Sequence, residues 1–219
     1  MKWNSIETFF LDMDGTLLDL AYDNYFWHEH IPALYSKKNG ITIQEGTHIF
    51  EELYKNKQGT MEWYSISYWS KVLKIDLQLE ILKTRNQIKV FDGTIDLLRK
   101  LKKHKIKIYL LTNCPREMLD IKMTQTKLWG YFDKIISSED CGYIKESNEF
   151  WGYLNKNIEY NTRTTVFIDD NQNVLRYSKN NGIQNIYCID FPDSKKDRQI
   201  VNGYQCIENI SLFEKRFIC

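Results

Sequence analysis

The chain has 219 residues and a formal net charge of +1, with 42% hydrophobic, 27% charged and 14% aromatic residues. That length suits one sizeable domain or a core carrying an inserted lobe, and the aromatic content argues against disorder. The near-zero charge offers no field for a nucleic acid polymer, no apolar run reaches the length of a membrane span, and Met1–Glu7 lacks the apolar core of a signal peptide.

The five cysteines, at 114, 141, 188, 206 and 219, are odd in number, scattered and free of any CxxC pair. They argue against a zinc site or a disulfide framework and fit a reducing cytoplasm.

Thr8–Leu11 is a short β-branched and apolar run that predicts a buried strand, ending abruptly at Asp12-Met13-Asp14-Gly15-Thr16. From Asp19 to about Val90 the periodicity is helical. Ile49, Phe50, Leu53 and Tyr54 share one face, as do Ile66, Trp69 and Leu73. From Phe91 the pattern becomes helix, strand, helix, strand. Ile95–Leu101 predicts a helix, and Ile106–Leu111 a strand ending at Thr112-Asn113. Pro115 opens a helix to about Leu128, Phe132–Ile136 is a short strand, and Asn148–Asn157 is a helix. Thr164–Ile168 is a strand ending at Asp169-Asp170-Asn171, and the next helix stops at Gly182. Gln184–Ile189 is read as the last strand, and the tail beyond Pro192 as charged and irregular with a short terminal helix.

Alternating strands and helices imply an α/β fold: a Rossmann-like parallel sheet core, residues 1–18 and 91–219, with an inserted α-helical cap, residues 19–90. An insert leaving from a strand's carboxyl end sits over the binding crevice and is a candidate lid.

In a parallel sheet the strand ends lie on one edge. That edge would gather Asp12 and Asp14, Thr112 and Asn113, Lys145 and the Asp169-Asp170 pair. Carboxylates with no His or Cys nearby suit Mg²⁺. A lysine and a hydroxyl beside them suit a phosphoryl group, and an aspartate can serve as nucleophile. The bland alternatives are an Asp-Gly turn at Asp14-Gly15, a helix N-cap at Asp169-Asp170, and a surface role for Lys145, with Lys134 the nearest competitor. The basic run at Lys102, Lys103, His104, Lys105 and Lys107 reads as a solvated face.

These strings, in this order, resemble the haloacid-dehalogenase-like (HAD) superfamily of phosphohydrolases. The resemblance implies that Asp12 is the nucleophile and Asp14 the general acid and base. Thr112 would hold the phosphoryl group with Asn113 beside it, and Lys145 would neutralise charge. Mg²⁺ would be held by Asp12, the Asp14 backbone carbonyl, Asp169 and Asp170. Leu11–Leu20, Asp23–Trp27, Gly142-Tyr143 with Lys145-Glu146, Phe167–Asp170 and the insert's Trp63-Tyr64 and Tyr68-Trp69-Ser70 are similar to the bacterial GMP/IMP nucleotidase branch. Cys114 and Ile144 depart from it, where a small residue and a proline are usual.

That branch implies hydrolysis of purine nucleoside monophosphates by a cytoplasmic monomer or homodimer. Asp23, Asn24, Tyr25 and Trp27 are the candidate substrate-binding residues, weighed against a place in the cap's own core or polar face. Rival readings are a phosphatase or phosphomutase of small sugar phosphates, a dehalogenase, and a non-catalytic binding protein. Cys114 is read as incidental to the chemistry.

Overall fold

The structure is a computed structural model and describes residues 5–216. Met1–Asn4 and Cys219, on which the readings of the N-terminus and of the cysteine set partly rest, lie outside the described residues.

Strand β1 (Thr8–Leu11) leads into a helical run. It comprises α1 (Ala21–Tyr25), a π-helical turn over Phe26–His30, α2 (Ile31–Asn39), α3 (Ile43–Lys55), α4 (Met61–Tyr64), α5 (Ile66–Leu73) and α6 (Leu77–Thr84). Alternation begins with α7 (Thr94–Lys103), β2 (Lys107–Thr112), α8 (Arg116–Thr126), β3 (Lys134–Ser137), α9 (Ser138–Cys141) and α10 (Asn148–Asn157). It continues through β4 (Thr165–Asp169), α11 (Gln172–Asn180), β5 (Asn185–Ile189), β6 (Gln205–Ile207) and α12 (Ile210–Arg216).

All neighbouring strands pair in parallel, in the order β3-β2-β1-β4-β5-β6. After Thr8, β1 is uninterrupted apolar sequence because both its faces are covered. Phe9 and Leu11 pack into one apolar cluster, and Phe10 into the other. The chain builds outward from β1 through β2 and β3. It then crosses back to build β4, β5 and β6 on the other side, so the order reverses between β1 and β4. Crevices at such a reversal, beyond the carboxyl ends of the strands, are where α/β sheets bind ligands.

The insert departs and returns side by side. Leu18 and Val90 form an antiparallel bridge, Phe91 N–H donates to the Leu17 carbonyl at 2.9 Å, and Asp19 N–H to the Lys89 carbonyl at 2.9 Å. Helices α3, α5 and α6 start where side chains accept from the otherwise unpaired first-turn amides. Thr42 and Glu45 form a reciprocal capping box, and Ser65 and Asp76 cap the next long helices. Phe50, Ile66, Trp69 and Leu73 are buried as the periodicity predicts, but Ile49 is 38% exposed. It precedes Phe50 and so sits about 100° round the helix from it. The apolar cluster that fills the insert is continuous with the one on the Phe9 face of the sheet.

The tail differs from expectation. Gln184–Ile189 is not the last strand: Gln205–Ile207 adds a sixth, pairing with β5. Its three residues include an exposed Gln205 and a half-buried Cys206, so it carries no apolar run to read.

Because one apolar cluster spans insert and sheet, the two should unfold together. Trp69→Ala removes a fully buried indole whose Nε1–H donates to the Trp63 carbonyl at 2.9 Å. It should cost about 3–5 kcal/mol in urea unfolding, in a single transition. Separate melting of the insert would contradict that continuity.

Candidate active site

Asp12 continues the ladder past β1, its N–H donating to the Ile168 carbonyl at 3.0 Å. The chain then turns tightly: Leu17 and Leu18 N–H both donate to the Met13 carbonyl, at 2.9 and 2.8 Å. Gly15 sits at φ 83°, and a Cβ there would lie 2.7 Å from Cγ and Oδ2 of Asp170. Glycine is therefore required twice, for the turn and for the approach of the β4 carboxylate.

Lys145 follows β3 and α9 in the chain and is buried. Its backbone is pinned from both sides: Asn113 Oδ1 accepts its N–H at 2.9 Å, and Trp151 Nε1–H donates to its carbonyl at 2.9 Å. Its Nζ then reaches Asp12 Oδ1 at 2.5 Å and Asp169 Oδ2 at 2.7 Å. Lys134, the competitor from sequence, is exposed and donates to the Asn157 carbonyl.

Thr112 Oγ1 accepts the Cys114 N–H at 3.0 Å, which leaves its hydroxyl proton free to donate into the crevice. Asn113 is at the site, but its side chain is spent on loops. Beyond Lys145 N–H, its Nδ2 donates to Tyr64 Oη at 2.9 Å and Glu146 Oε2 at 2.8 Å. Cys114 is buried, and burial holds its thiol well above the usual range, so it is no nucleophile.

Asp12, Asp169 and Asp170 present carboxylate oxygens within 4.8 Å of one another. The Asp14 carboxylate is not in that group; Lys122 Nζ holds its Oδ1 at 2.7 Å. Asp169 accepts the Asn171 N–H on Oδ1 and Lys145 on Oδ2, whereas no side-chain donor among the described residues reaches the Asp170 carboxylate. Burial raises Asp12 to about 8; Lys145 opposes this, and the Asp169 charge adds to it. Burial, with the Asp169 and Asp12 charges, holds Asp170 well above the usual carboxylate range. Three acids around one ammonium are short of positive charge, and hard oxygen donors with that deficit fit a divalent cation such as Mg²⁺.

Beyond these groups opens a cavity of about 540 Å³. Its floor is the sheet edge, including Asp12, Thr112, Lys145 and Asp170, and its wall is the insert, including Trp27, Tyr54 and Trp63. Of the four insert candidates, Asp23, Asn24 and Trp27 line the cavity. Tyr25 is not among the lining residues; its hydroxyl turns to His30 Nδ1, 3.5 Å away. Asn24 Nδ2 donates to Asp193 Oδ2 at 2.6 Å, and Asp23 receives Lys122.

The sequence reading missed Lys122, Tyr64 as a contact of Asn113 and Glu146, and on the wall Glu51 and Lys55 from α3 and Gln58 from the turn after it. Glu146, beside Lys145, and Tyr64, in the Trp63-Tyr64 pair, stood in strings that carried the resemblance.

Residues 9–188 match the sequence profile of the haloacid dehalogenase-like hydrolases. The chain is 34% identical over 194 residues to the GMP/IMP nucleotidase YrfG of Escherichia coli strain K12, covering 89% of this chain and 87% of that one. A HAD phosphatase from Thermococcus onnurineus superposes with a TM-score of 0.81 at 20% identity, over 96% of this chain and 97% of that one. The HAD-hydrolase YfnB of Bacillus subtilis, solved bound to magnesium, superposes with a TM-score of 0.67 at 20% identity, over 97% and 98%.

The raised Asp12 fixes the sign of a pH dependence. In a chelator, the folded chain keeps that proton up to about pH 8 while the unfolded chain releases it near 3.8. Stability should therefore fall as pH rises through that window, and less steeply in Asp12→Asn. Urea unfolding at pH 5 to 8.5 checks both; a rising curve would contradict the charge deficit.

Proposed function

The chain belongs to the haloacid dehalogenase-like hydrolase family and is a phosphatase, and on that premise we propose that it hydrolyses purine nucleoside 5′-monophosphates through an aspartyl-phosphate on Asp12, with Mg²⁺ bound. The observation that carries the chemistry is the junction of Asp12, Asp169 and Lys145 beneath the cavity, with Asp170 against Gly15. Its substrate class rests on the relative named as a GMP/IMP nucleotidase, with support from the wall. Trp27, Tyr54 and Trp63 offer aromatic faces to a base, and Glu51 and Gln58 offer polar groups to its edge. The volume lies within the range of small-molecule sites, about 300–1,000 Å³.

Asp12, Asp169 and Asp170 would hold Mg²⁺, together with the Asp14 carbonyl that the resemblance assigns. When bound, the ion supplies charge that offsets the phosphoryl oxygens and the crowded carboxylates. Asp12 attacks phosphorus. Lys145, already 2.5 Å from Asp12 Oδ1, orients that carboxylate and balances its charge. The Thr112 hydroxyl donates to a phosphoryl oxygen. Asp14 protonates the departing alcohol oxygen and then takes a proton from the water that cleaves the acyl phosphate. The insert, residues 19–90, acts as a cap domain that closes the cavity against bulk water.

A phosphate-release panel of GMP, IMP, AMP, pyrimidine monophosphates and sugar phosphates at equal concentration tests the substrate class. Purine monophosphates should lead in kcat/KM, and sugar phosphates in front would overturn the reading. Asp12→Asn should lower turnover by about 10⁴-fold or more while the circular dichroism stays unchanged. Gly15→Ala should push Asp170 aside and reduce the rise in Tm that Mg²⁺ gives the wild type; an undiminished rise would remove Asp170 from the ion's shell.

A further inference from the structure

Helix α8 buries Met118, Leu119 and Met123, and among them Lys122, which is fully buried. Packing alone does not call for an ammonium there; an apolar residue of similar volume fills such a site without the desolvation penalty. The charge is matched on two sides. Nζ lies 2.7 Å from Asp14 Oδ1, and 2.7 and 2.8 Å from the two oxygens of Asp23. The Tyr22 ring centroid is 5.9 Å from Nζ. Asp14 belongs to the loop after β1 and Asp23 to the first helix of the insert, so this one cation joins three separate segments.

The bond to Asp14 uses Oδ1 alone. Among the described residues nothing engages Oδ2, and Asp14 lines the cavity. We infer that Lys122 is a positioning residue for the leaving-group step: bridging Asp14 to Asp23, it fixes the Asp14 rotamer that presents Oδ2 to the departing ester oxygen, and makes that rotamer depend on the seating of the insert's first helix. The inference rests on the phosphatase chemistry above.

In the step concerned, an Asp12 oxygen bonds to phosphorus as the bond from phosphorus to the alcohol oxygen breaks. The electron pair of the broken bond stays on the alcohol oxygen, which takes the proton from the Asp14 carboxyl, leaving Asp14 a carboxylate. In the return step a water oxygen bonds to phosphorus and its proton goes to Asp14. The acyl-phosphate bond breaks with its electron pair returning to Asp12. Lys122 keeps its protons throughout. Its contribution is geometric, and a misplaced proton donor penalises only leaving groups that need the proton.

That distinction gives the test. Lys122→Met and Asp23→Asn are compared with wild type on p-nitrophenyl phosphate, whose phenolate leaves unaided, and on the alkyl phosphomonoester that wild type hydrolyses fastest in the panel. The measure is kcat/KM, which covers only the steps through loss of the alcohol. Lys122→Met should lower it about 100-fold on the alkyl ester and less than about fivefold on the aryl ester. Asp23→Asn, which releases the far anchor and keeps both Lys122 and Asp14, should give the same selectivity at about tenfold. In an Asp14→Asn background, Lys122→Met should add less than about threefold on the alkyl ester. Equal losses on both esters, or additive losses with Asp14→Asn, would make Lys122 merely structural and overturn the inference. If Lys122→Met does not fold, Asp23→Asn decides alone, by its selectivity or the lack of it. A wild type that releases phosphate from neither ester would instead refute the phosphatase chemistry, and this inference with it.

Discussion

One ammonium, Lys145 Nζ, holds the carboxylates of Asp12 and Asp169 together at the carboxyl ends of β1 and β4. Neither acid could be buried there without it, because removing one partner from a buried charge pair costs about 3–5 kcal/mol. The ammonium is in turn dependent on its surroundings. Asn113 and Trp151 fix its backbone, and the α10 residue Trp151 is itself fully buried against Phe167 of β4. Sheet packing and site geometry are thus one problem. A strand displaced by a fraction of its spacing would break the ion pairs before it opened the core. Lys145 still leaves three carboxylates facing one ammonium, and burial, with the charges of the neighbouring acids, raises Asp12 and Asp170. A site so arranged is prepared for a cation and for a phosphoryl group that brings its own counterion.

Where sequence and structure agree, a local physical signal was present. β1 reads correctly because a strand covered on both faces must be apolar throughout. The helix expected over roughly Asn148–Asn157 forms there because Ser147 caps one end and Phe150, Trp151 and Leu154 mark the buried face. The sheet-edge residues were legible because parallel topology converts strand ends, distant in sequence, into neighbours. What failed had no local signature. β6 is a short edge strand held by pairing rather than by its own pattern. Tyr25 shares its neighbours' aromatic character, and only the helix's rotation turns it from the cavity. Lys122 looks in the sequence like a solvated helix lysine, since its partners lie 108 and 99 residues away.

The insert touches the chemistry at more than its wall. Tyr64 Oη accepts from Asn113 and donates to Glu146 Oε1 at 3.2 Å, while Asp23 holds Lys122 and Asn24 holds Asp193. These contacts reach the loops after β2, β3 and β5 and the body of α8. Its two connecting segments, by contrast, meet at a single bridge between Leu18 and Val90 with the hydrogen bonds beside it, while its helices share the apolar cluster on the Phe9 face of the sheet. A body rooted at one edge and clasped at several loops moves, if it moves, by releasing the loops first. Release would free Asn113 and Asp14 from their present geometry together, so on the proposed chemistry the floor is in register only while the insert is seated.

That arrangement separates two kinds of selection. The floor, drawn from strand ends, is fixed by the sheet and serves any phosphomonoester whose phosphoryl group reaches Asp12. The wall, drawn from α1, α3, α4 and the π-helical turn, carries the side chains that meet the rest of the molecule. Substitutions at Trp27, Tyr54 or Gln58 can alter which ester is accepted without touching a reacting atom. Asp23 belongs to both: it stands on the wall and is joined through Lys122 to Asp14 on the floor. On the proposed chemistry, a substrate that seats the insert fully gains the proton donor as well as the contact, which turns binding energy from the non-reacting part of the molecule into rate at phosphorus.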